Sequence, residues 1–181
     1  MMRKALPWVA TVVLLIGAWF VQLLTPSDDV AAEPFLVAAS IGSEAVGREI
    51  VVTVLDVRAA STVTSSSGWS AEGTWLLVDL NAETVTADRL LKGATLTIDG
   101  LEFRASERMD SIFSTKLVPG IPRTGTLAFE LPDAPLTGTG ILHLSLGDDT
   151  RLDSVIELSI PLDELTISAE ESVHVTEWAT S

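Results

Sequence analysis

The histidine and carboxylate side chains that could do acid–base or metal chemistry are few and scattered in this sequence. His143 and His174 are the only histidines, and there is no cysteine. A zinc site usually needs about four histidine, cysteine or carboxylate ligands, and His174 has only Glu170 and Glu171 beside it. Because His143 alternates with two leucines, its side chain should face away from them, onto the solvated side of a sheet. The histidines therefore predict no metal site.

The densest group of carboxylates lies in GDDTRLD, residues 147–153, which contains Asp148, Asp149 and Asp153. Clustered carboxylates can bind calcium, but their spacing here does not fit an EF-hand loop. Aspartate is also common in hairpin turns, where its side chain accepts hydrogen bonds from the backbone. We interpret the segment as a turn, with calcium binding as the alternative.

No arrangement of residues predicts a catalytic site. Serine, histidine and aspartate can be combined into a triad in almost any such sequence, but no G-x-S-x-G nucleophile turn accompanies them here. The absence of cysteine removes thiolate nucleophiles, disulfides and a lipid-modified N-terminal cysteine. We predict that the protein is not an enzyme, and we assign no catalytic, cofactor-binding or metal-binding residue and no cofactor.

Two tryptophans are candidates for contact with a partner. Trp69 lies in the serine-rich segment STVTSSSGWSAEG, residues 61–73, which we predict to be a loop, and Trp178 lies near the C-terminus. An exposed tryptophan can anchor a partner protein or a sugar ring. The alternative is that each side chain folds back over the edge of the domain. We assign Trp69 and Trp178 as candidate partner contacts.

The strongest local signal is an uncharged apolar segment near the N-terminus. It covers residues 6–24 and follows Arg3 and Lys4. About 20 apolar residues cross a bilayer core as a helix, and a positive flank stays in the cytoplasm. We therefore predict a single-pass signal anchor in the plasma membrane, with residues 1–5 cytoplasmic and the rest of the chain outside. The alternative is a secretory signal peptide that is cleaved after VAA, residues 30–32.

The charge of the exported part restricts its partners. Beyond residue 24 the chain carries nine Lys and Arg against 25 Asp and Glu, a net charge of −16. Such a surface repels nucleic acid and anionic lipid headgroups. The predicted partners are the cell membrane, through residues 6–24, and another envelope protein, and nucleic acid is excluded.

The exported part shows the two-residue alternation of β-strands and no sustained helical period. The clearest hairpin is ATLTIDGLEFRAS, in which Asp99 and Gly100 suit a two-residue turn that needs positive φ at both positions. About seven to nine short strands separated by turn signals predict a β-sandwich. A closed barrel is the alternative.

The alternation also predicts which side chains face the core. Thr126, Ala128 and Glu130 are predicted to face outward, and Trp75 lies on the face opposite its apolar neighbours. The residues predicted to face inward share the apolar positions of four alternating runs: Leu76, Val78, Leu80, Leu127, Phe129, Leu131, Leu142, Leu144, Leu146, Ile156, Leu158 and Ile160.

Four segments together resemble a bacterial family of exported, telokin-like domains of unknown function: VVTVLDVRAAS, GTWLLVDLNAET, TIDGLEFRASE and LVPGIPRTGTLAFELPDA. The matching features are a tryptophan-led strand, a hairpin, a Pro-Gly turn and a Phe-x-x-Pro ending, carried by residues 75–80, residues 100–103, Pro119, Gly120, Gly125, Phe129 and Pro132. The resemblance covers residues 47–161 and implies an immunoglobulin-like β-sandwich without catalytic residues. Residues 162–181 do not match the family.

The combined prediction is an all-β, immunoglobulin-like antiparallel β-sandwich over residues 47–161, preceded by one transmembrane helix. Residues 25–46 are predicted to form a linker and first strand region, and residues 162–181 a C-terminal strand or tail. The predicted function is a membrane-anchored, extracytoplasmic, non-catalytic binding or accessory module that contacts another envelope protein. The alternative is an extracytoplasmic solute- or metal-binding domain.

Overall fold

The computed structural model describes residues 6–24, 33–147 and 149–179. The chain divides into two compact units, Met1–Glu33 and Pro34–Ser181. The predicted cytoplasmic tip, the predicted cleavage site and Asp148 lie outside the described residues.

The first unit contains one α-helix, α1, which spans Leu6–Leu24. The side chains described on it, those of residues 11–22, are all exposed. Across the described part of the chain, no helix combines the length and the apolar character that crossing a membrane requires. The predicted transmembrane role of residues 6–24 is therefore not supported by the structure and stays a prediction.

The second unit is built from β-strands. In chain order they are β1 (Phe35–Ala38), β2 (Glu44–Val46), β3 (Ile50–Thr64), β4 (Ser70–Thr84), β5 (Arg89–Leu90), β6 (Gly93–Ile98), β7 (Leu101–Arg104), β8 (Lys116–Leu117), β9 (Arg123–Leu131), β10 (Thr139–Ser145), β11 (Ser154–Pro161), β12 (Ile167–Ser168), β13 (Glu171–Ser172) and β14 (Glu177–Trp178). A short 3₁₀ helix, Leu162–Glu164, follows β11.

The longer strands form two sheets. The first sheet has the order β1-β11-β10-β6-β7, and the second has the order β12-β3-β4-β9-β14, with β2 and β13 also paired to β3. Pairing is antiparallel except where β1 joins β11 and where β12 and β13 join β3. Strands β5 and β8 form a small separate pair. This architecture confirms the predicted all-β sandwich.

The main core lies between the two sheets and contains the residues predicted to face inward. Leu76, Val78, Leu80, Leu127 and Phe129 of the second sheet are fully buried. They belong to one apolar cluster with the inward residues of β10 and β11, and Leu146 packs partly buried against it. Alternating side chains meet in this way because a strand directs successive residues to opposite faces.

The Asp-Gly hairpin forms as predicted. Asp99 has φ of 50° and Gly100 has φ of 79°, which are the left-handed values that a type I′ turn requires. The turn sets the register of β6 and β7, so that Thr97 pairs with Glu102 and Thr95 pairs with Arg104.

The predicted serine-rich loop at residues 61–73 is wrong. Strand β3 continues to Thr64 and β4 begins at Ser70, so the connection is only residues 65–69. Val63 is fully buried and pairs with Ala71 across the ladder. The β-branched residues of this segment favour an extended backbone, and burial of Val63 adds to that preference, whereas composition alone suggested a loop.

The prediction that Thr126 and Ala128 face solvent is also wrong, because both side chains are fully buried. They do lie on the outer face of the second sheet, but this face carries its own apolar cluster. We call it the outer cluster, and it comprises Ala60, Val63, Trp75, Leu77, Met109, Ala128 and Val173. Only Glu130 of the predicted outward set is exposed.

Two segments far apart in the sequence cover the outer cluster. Residues 105–115 contribute Met109 and hydrogen-bond β9 through Ser106 and Ile112. The C-terminal segment, residues 167–178, contributes Val173; we call it the C-terminal strap. A Cβ atom on Gly125 would meet Ile112 Cβ at 2.8 Å and Thr176 Oγ1 at 2.9 Å. Glycine at this position therefore lets both covering segments approach the strand.

The C-terminal strap crosses the second sheet from one side to the other. It begins beside β3, where β12 and β13 pair with residues 59–60 and 63–64. It ends beside β9, where β14 pairs with Arg123 and Thr124. Strands on both sides of residues 47–161 thus belong to the sheets.

Candidate functional site

Asp79 is the one acidic residue that is buried in the described part of the chain, with 5% of its surface exposed. Arg58 donates to both of its carboxylate oxygens, from Nε at 3.0 Å and from Nη2 at 3.1 Å. Thr126 Oγ1 donates to Oδ1 at 2.5 Å. The carboxylate is therefore held by one cation and one hydroxyl, as a buried charge requires.

The C-terminal strap also contacts this group, through Glu171 and His174. The Arg58 guanidinium also contacts the Glu171 carboxylate, and the His174 backbone N–H donates to Thr126 Oγ1 at 3.0 Å. His174 Nδ1 lies 3.4 Å from Asp79 Oδ1. The Ser168 hydroxyl and the Arg58 guanidinium hold the pKa of Glu171 below its ordinary value. We call these five residues the Asp79 cluster: Arg58, Asp79, Thr126, Glu171 and His174.

The Asp79 cluster contains a histidine, a carboxylate and a hydroxyl, but the hydroxyl is not placed as a nucleophile that faces the histidine. A histidine beside a buried aspartate can act as a general base when it faces a nucleophile. The neighbouring hydroxyl, Thr126 Oγ1, instead donates to Asp79 and accepts the His174 backbone N–H. Because these contacts join β3, β4 and β9 to one another and to the C-terminal strap, we interpret the cluster as a structural contact that holds the strap on the sheet.

An open apolar pocket lies at one end of the sandwich. It encloses 280 Å³ between the β6–β7 hairpin and residues 131–137. One of its walls is Leu101, which has 62% of its surface in solvent. The pocket is lined by Ile98, Asp99, Leu101, Phe103, Leu131, Pro132, Ala134, Pro135, Leu136, Thr137 and Leu162.

A polar groove of 490 Å³ lies on the outer face of the first sheet. His143 lines this groove, and its Nε2 lies 2.9 Å from Glu157 Oε2; both side chains are about one-third exposed. His143 thus faces away from the leucines, as predicted. The groove is lined by Pro34, Leu36, Gly93, Thr95, Glu102, Arg104, His143, Ser145, Gly147, Thr150 and Val155.

The two tryptophans assigned as candidate partner contacts lie at different places on the second sheet. Trp69 is half-buried, with its ring centroid 6.1 Å from that of Trp75 in an edge-to-face arrangement. The Arg108 guanidinium lies over the Trp69 ring, 5.4 Å from its centroid. Trp178 is 48% exposed, and Arg123 lies over its ring at 4.0 Å. Each tryptophan therefore already contacts an arginine of this chain.

Of the residues considered for metal binding, those that the structure describes are not brought together as a ligand set. Glu171 is engaged by Arg58, and His174 lies beside Asp79. Asp149 accepts two hydrogen bonds from the Arg151 side chain, and this pairing lowers the pKa of Asp149 to about 2. Within residues 6–24, 33–147 and 149–179, no three histidine or acidic side chains are grouped so that they could hold a metal ion.

Sequence reasoning missed the Asp79 cluster and the apolar pocket. A signal for the cluster was present, because Asp79 interrupts the apolar run LLVDL and Arg58 interrupts VLDVRAA. A charge inside a strand that is apolar on both faces must find a partner when it is buried. The pocket had no such signal, because its walls come from three separate parts of the chain.

Neither a protein-family model nor a curated protein matches the chain. Among solved structures, the chain is similar to an uncharacterised β-sandwich protein from Clostridium difficile 630. The two share 11% sequence identity with a TM-score of 0.47, over 69% of this chain and 95% of that one.

Proposed function

We propose that this protein is a non-catalytic, extracytoplasmic binding or accessory module that contacts another envelope protein. The observation that carries the proposal is the open apolar pocket beside Leu101. A pocket of 280 Å³ lies just below the range of about 300–1,000 Å³ that is usual for small-molecule sites. It suits one or two apolar side chains of a protein partner better than a whole solute.

The setting of the pocket supports a protein partner. Leu101, Pro132 and Pro135 present exposed apolar surface at this end of the sandwich, whereas the exported part as a whole carries a net charge of −16. An apolar patch on a strongly charged surface is typical of an interaction site. Trp69 and Trp178 remain predicted contacts, but their arginine neighbours already occupy part of each ring.

A non-catalytic role is supported by how the buried polar groups are used. Asp79, the buried acid of the described residues, accepts hydrogen bonds from Arg58 and Thr126. A general base needs a lone pair that can reach a substrate proton. The strap residue His174 crosses the same place, so a substrate could reach Asp79 only after the strap had moved.

We further propose that residues 6–24 anchor the module in the plasma membrane, with cleavage and secretion as the alternative. The support is the uncharged apolar sequence of residues 6–24 and the basic residues before it. In fractionated cells, an anchored chain should keep its full length and remain in the membrane pellet after alkaline carbonate washing. A shortened product in the medium would replace the anchor by the cleaved form.

We also propose that the sandwich has an immunoglobulin-like topology, as the telokin-like resemblance implies, and its strand order can be compared with that arrangement. Seven of the strands form the series β3-β4-β9 in one sheet and β11-β10-β6-β7 in the other. With these seven strands named A to G in chain order, the sheets are A-B-E and G-F-C-D. A constant-type immunoglobulin domain has the sheets A-B-E-D and C-F-G. The proposed topology therefore differs in one strand, β7, which joins the other sheet.

A site-specific crosslink tests the proposed binding surface. A photoactivatable amino acid would replace Thr137, which is exposed at the rim of the apolar pocket. The matched control position is Ala87, which is also exposed but lies in the connection before β5. After irradiation of intact cells, we expect a defined crosslinked protein from position 137 and none from position 87.

A substitution within the pocket provides the second arm of that experiment. Leu101→Asp places a charge on the exposed wall and should abolish the crosslink from position 137, because the partner would lose its apolar contact. The proposal for this surface would lose its support if positions 137 and 87 gave the same crosslinked protein. It would also lose its support if neither position gave a crosslink.

A solute-binding role is the second candidate, and the polar groove favours it. Its 490 Å³ lie within the range of small-molecule sites, and its lining includes His143, which pairs with Glu157. A polar solute should raise the unfolding temperature of the wild-type protein in a ligand screen. His143→Phe should remove that increase. A screen in which no solute raises the unfolding temperature would leave this candidate without support.

A further inference from the structure

Strand β7 is the outermost strand of the first sheet in the described part of the chain. It has only four residues, and Leu101, Glu102 and Arg104 are exposed while Phe103 is half-buried. The edge of a sheet presents main-chain donors and acceptors that can pair with another strand. The question is which strand has the complementary side chains.

The hairpin geometry determines which residues of β7 direct their main-chain groups outward. Next to a two-residue turn, Ile98 and Leu101 form a hydrogen-bonded pair, and such pairs alternate along the ladder. The hydrogen bond from Ala105 N to Ala94 O, at 3.0 Å, continues the same alternation. The N–H and C=O groups of Glu102 and Arg104 therefore point away from β6, toward the edge.

We propose that two copies of this protein associate by pairing their β7 strands antiparallel about a two-fold axis at Phe103. In this register Glu102 lies opposite Arg104 of the second copy, and Arg104 lies opposite Glu102. Both residues direct main-chain groups to the edge, so each opposed pair exchanges two hydrogen bonds. The two first sheets then form one continuous sheet across the dimer.

The charges of β7 select this register. A two-fold axis at Glu102 would place two glutamates directly opposite each other, and an axis at Arg104 would place two arginines opposite each other. Like charges in directly opposed positions destabilise a pair of strands, and opposite charges stabilise it. The five N–H donors of an arginine side chain allow Arg104 to bind more than one acceptor at a time. Only the axis at Phe103 makes both charged pairs attractive.

The inner face of β7 adds apolar contact to this pairing. Phe103 would lie opposite Phe103 of the second copy at a position without direct hydrogen bonds, where side chains come closest. Aromatic residues opposite each other are favourable cross-strand pairs. Leu101, 62% exposed in a single copy, would lie opposite Ala105. Leu101 and Phe103 also line the apolar pocket, but the proposal does not rest on the envelope partner proposed above, because the register is set by the strand edge and by Glu102 and Arg104, which do not line the pocket.

Charge exchange between two copies tests the register. Full-length protein is produced with either of two affinity tags, purified in a non-ionic detergent, and mixed in tagged pairs. Wild-type copies should co-purify. Glu102→Arg should weaken self-association about tenfold, and so should Arg104→Glu, because each makes both opposed pairs repulsive. Glu44→Arg, the same charge change on an exposed residue of β2, should leave association unchanged.

The decisive arm is a mixture of the two single variants. A Glu102→Arg copy and an Arg104→Glu copy have opposite charges at both opposed pairs, so the mixture should recover wild-type co-purification. The double variant should also recover self-association. All variants contain the same N-terminal helix, so helix–helix contact cannot produce this pattern. Failure of wild-type copies to co-purify, or failure of the mixture to recover association, would overturn the proposal.

Discussion

At the scale of single residues, the Asp79 cluster determines how a charge can lie within the second sheet. Burying a carboxylate is costly unless a cation and hydrogen-bond donors replace the water that it loses. Arg58 supplies two donors and Thr126 supplies a third. The side chain of Arg58 is itself only 17% exposed, so removal of either partner would leave the other charge poorly solvated.

Replacement of Arg58 by methionine should therefore be strongly destabilising. Arg58→Met leaves Asp79 charged and buried, and we expect the free energy of unfolding to fall by about 3 kcal/mol. Urea denaturation of the full-length protein in detergent measures this. The control is Arg151→Met, which breaks the exposed pair with Asp149 and should leave the midpoint unchanged. Equal midpoints for the two variants would contradict the structural role of Asp79.

The exposed Asp149 provides a prediction about pH. Hydrogen bonds from the side chain and the backbone N–H of Arg151 lower the pKa of Asp149 from 3.8 to about 2. Because the folded pKa is depressed, the interaction is complete above pH 3.8 and is lost as the pH falls through 2. The carboxyl resonance of Asp149 should titrate near this lower value in wild type and closer to 3.8 in Arg151→Met. An ordinary titration midpoint in the wild-type protein would contradict the pairing.

At the scale of elements, the C-terminal strap helps to bury the outer face of the second sheet, so that apolar side chains are buried on both of its faces. A sandwich normally exposes the outer faces of its sheets, but here the outer face carries Trp75 and Leu77, both fully buried. Val173 of the strap packs into the outer cluster. The strap strands are only two residues long, so side-chain burial and the Asp79 cluster contribute much of its attachment.

Two valines of the strap, one buried and one exposed, test whether side-chain burial holds the strap on the sheet. Val173 is 5% exposed and Val175 is 57% exposed. Val173→Ala removes two buried methyl groups and should lower the free energy of unfolding by about 1.5 kcal/mol. It should also speed cleavage of the strap by a protease under native conditions. Val175→Ala should change neither quantity, and the same loss in both variants would contradict the packing of the strap.

The elements also illustrate what local pattern can predict. Alternation of side chains identifies two faces of each strand, and the Asp99-Gly100 turn sets the register of its hairpin, because both are properties of neighbouring residues. The extension of β3 through Thr64 was not predicted, because the serine-rich composition of residues 61–73 resembles that of a loop. Its pairing with β4 buries Val63, and burial is not visible in composition.

At the scale of the whole molecule, the net charge of −14 opposes the compact state. Like charges repel more strongly when the chain is folded than when it is extended, and salt screens this repulsion. We expect the unfolding temperature to rise by several degrees between about 10 mM and about 0.5 M sodium chloride. A neutral osmolyte at the same osmolality serves as the control. A fall in the unfolding temperature with salt would mean that attractive pairs such as Arg58–Asp79 outweigh the repulsion.

The sequence by itself determined the class of fold, the inward faces of the main core and the turn of the β6–β7 hairpin, because periodicity and turn chemistry act over a few residues. Only the tertiary structure decided what covers the outer face of the second sheet. The contact between Arg58 and Glu171 joins residues 113 apart in the sequence, and that between Thr126 and His174 joins residues 48 apart. Alternation says that Asp79 and Trp75 share a face. It does not say that a distant segment returns to bury that face, because burial depends on where the whole chain goes.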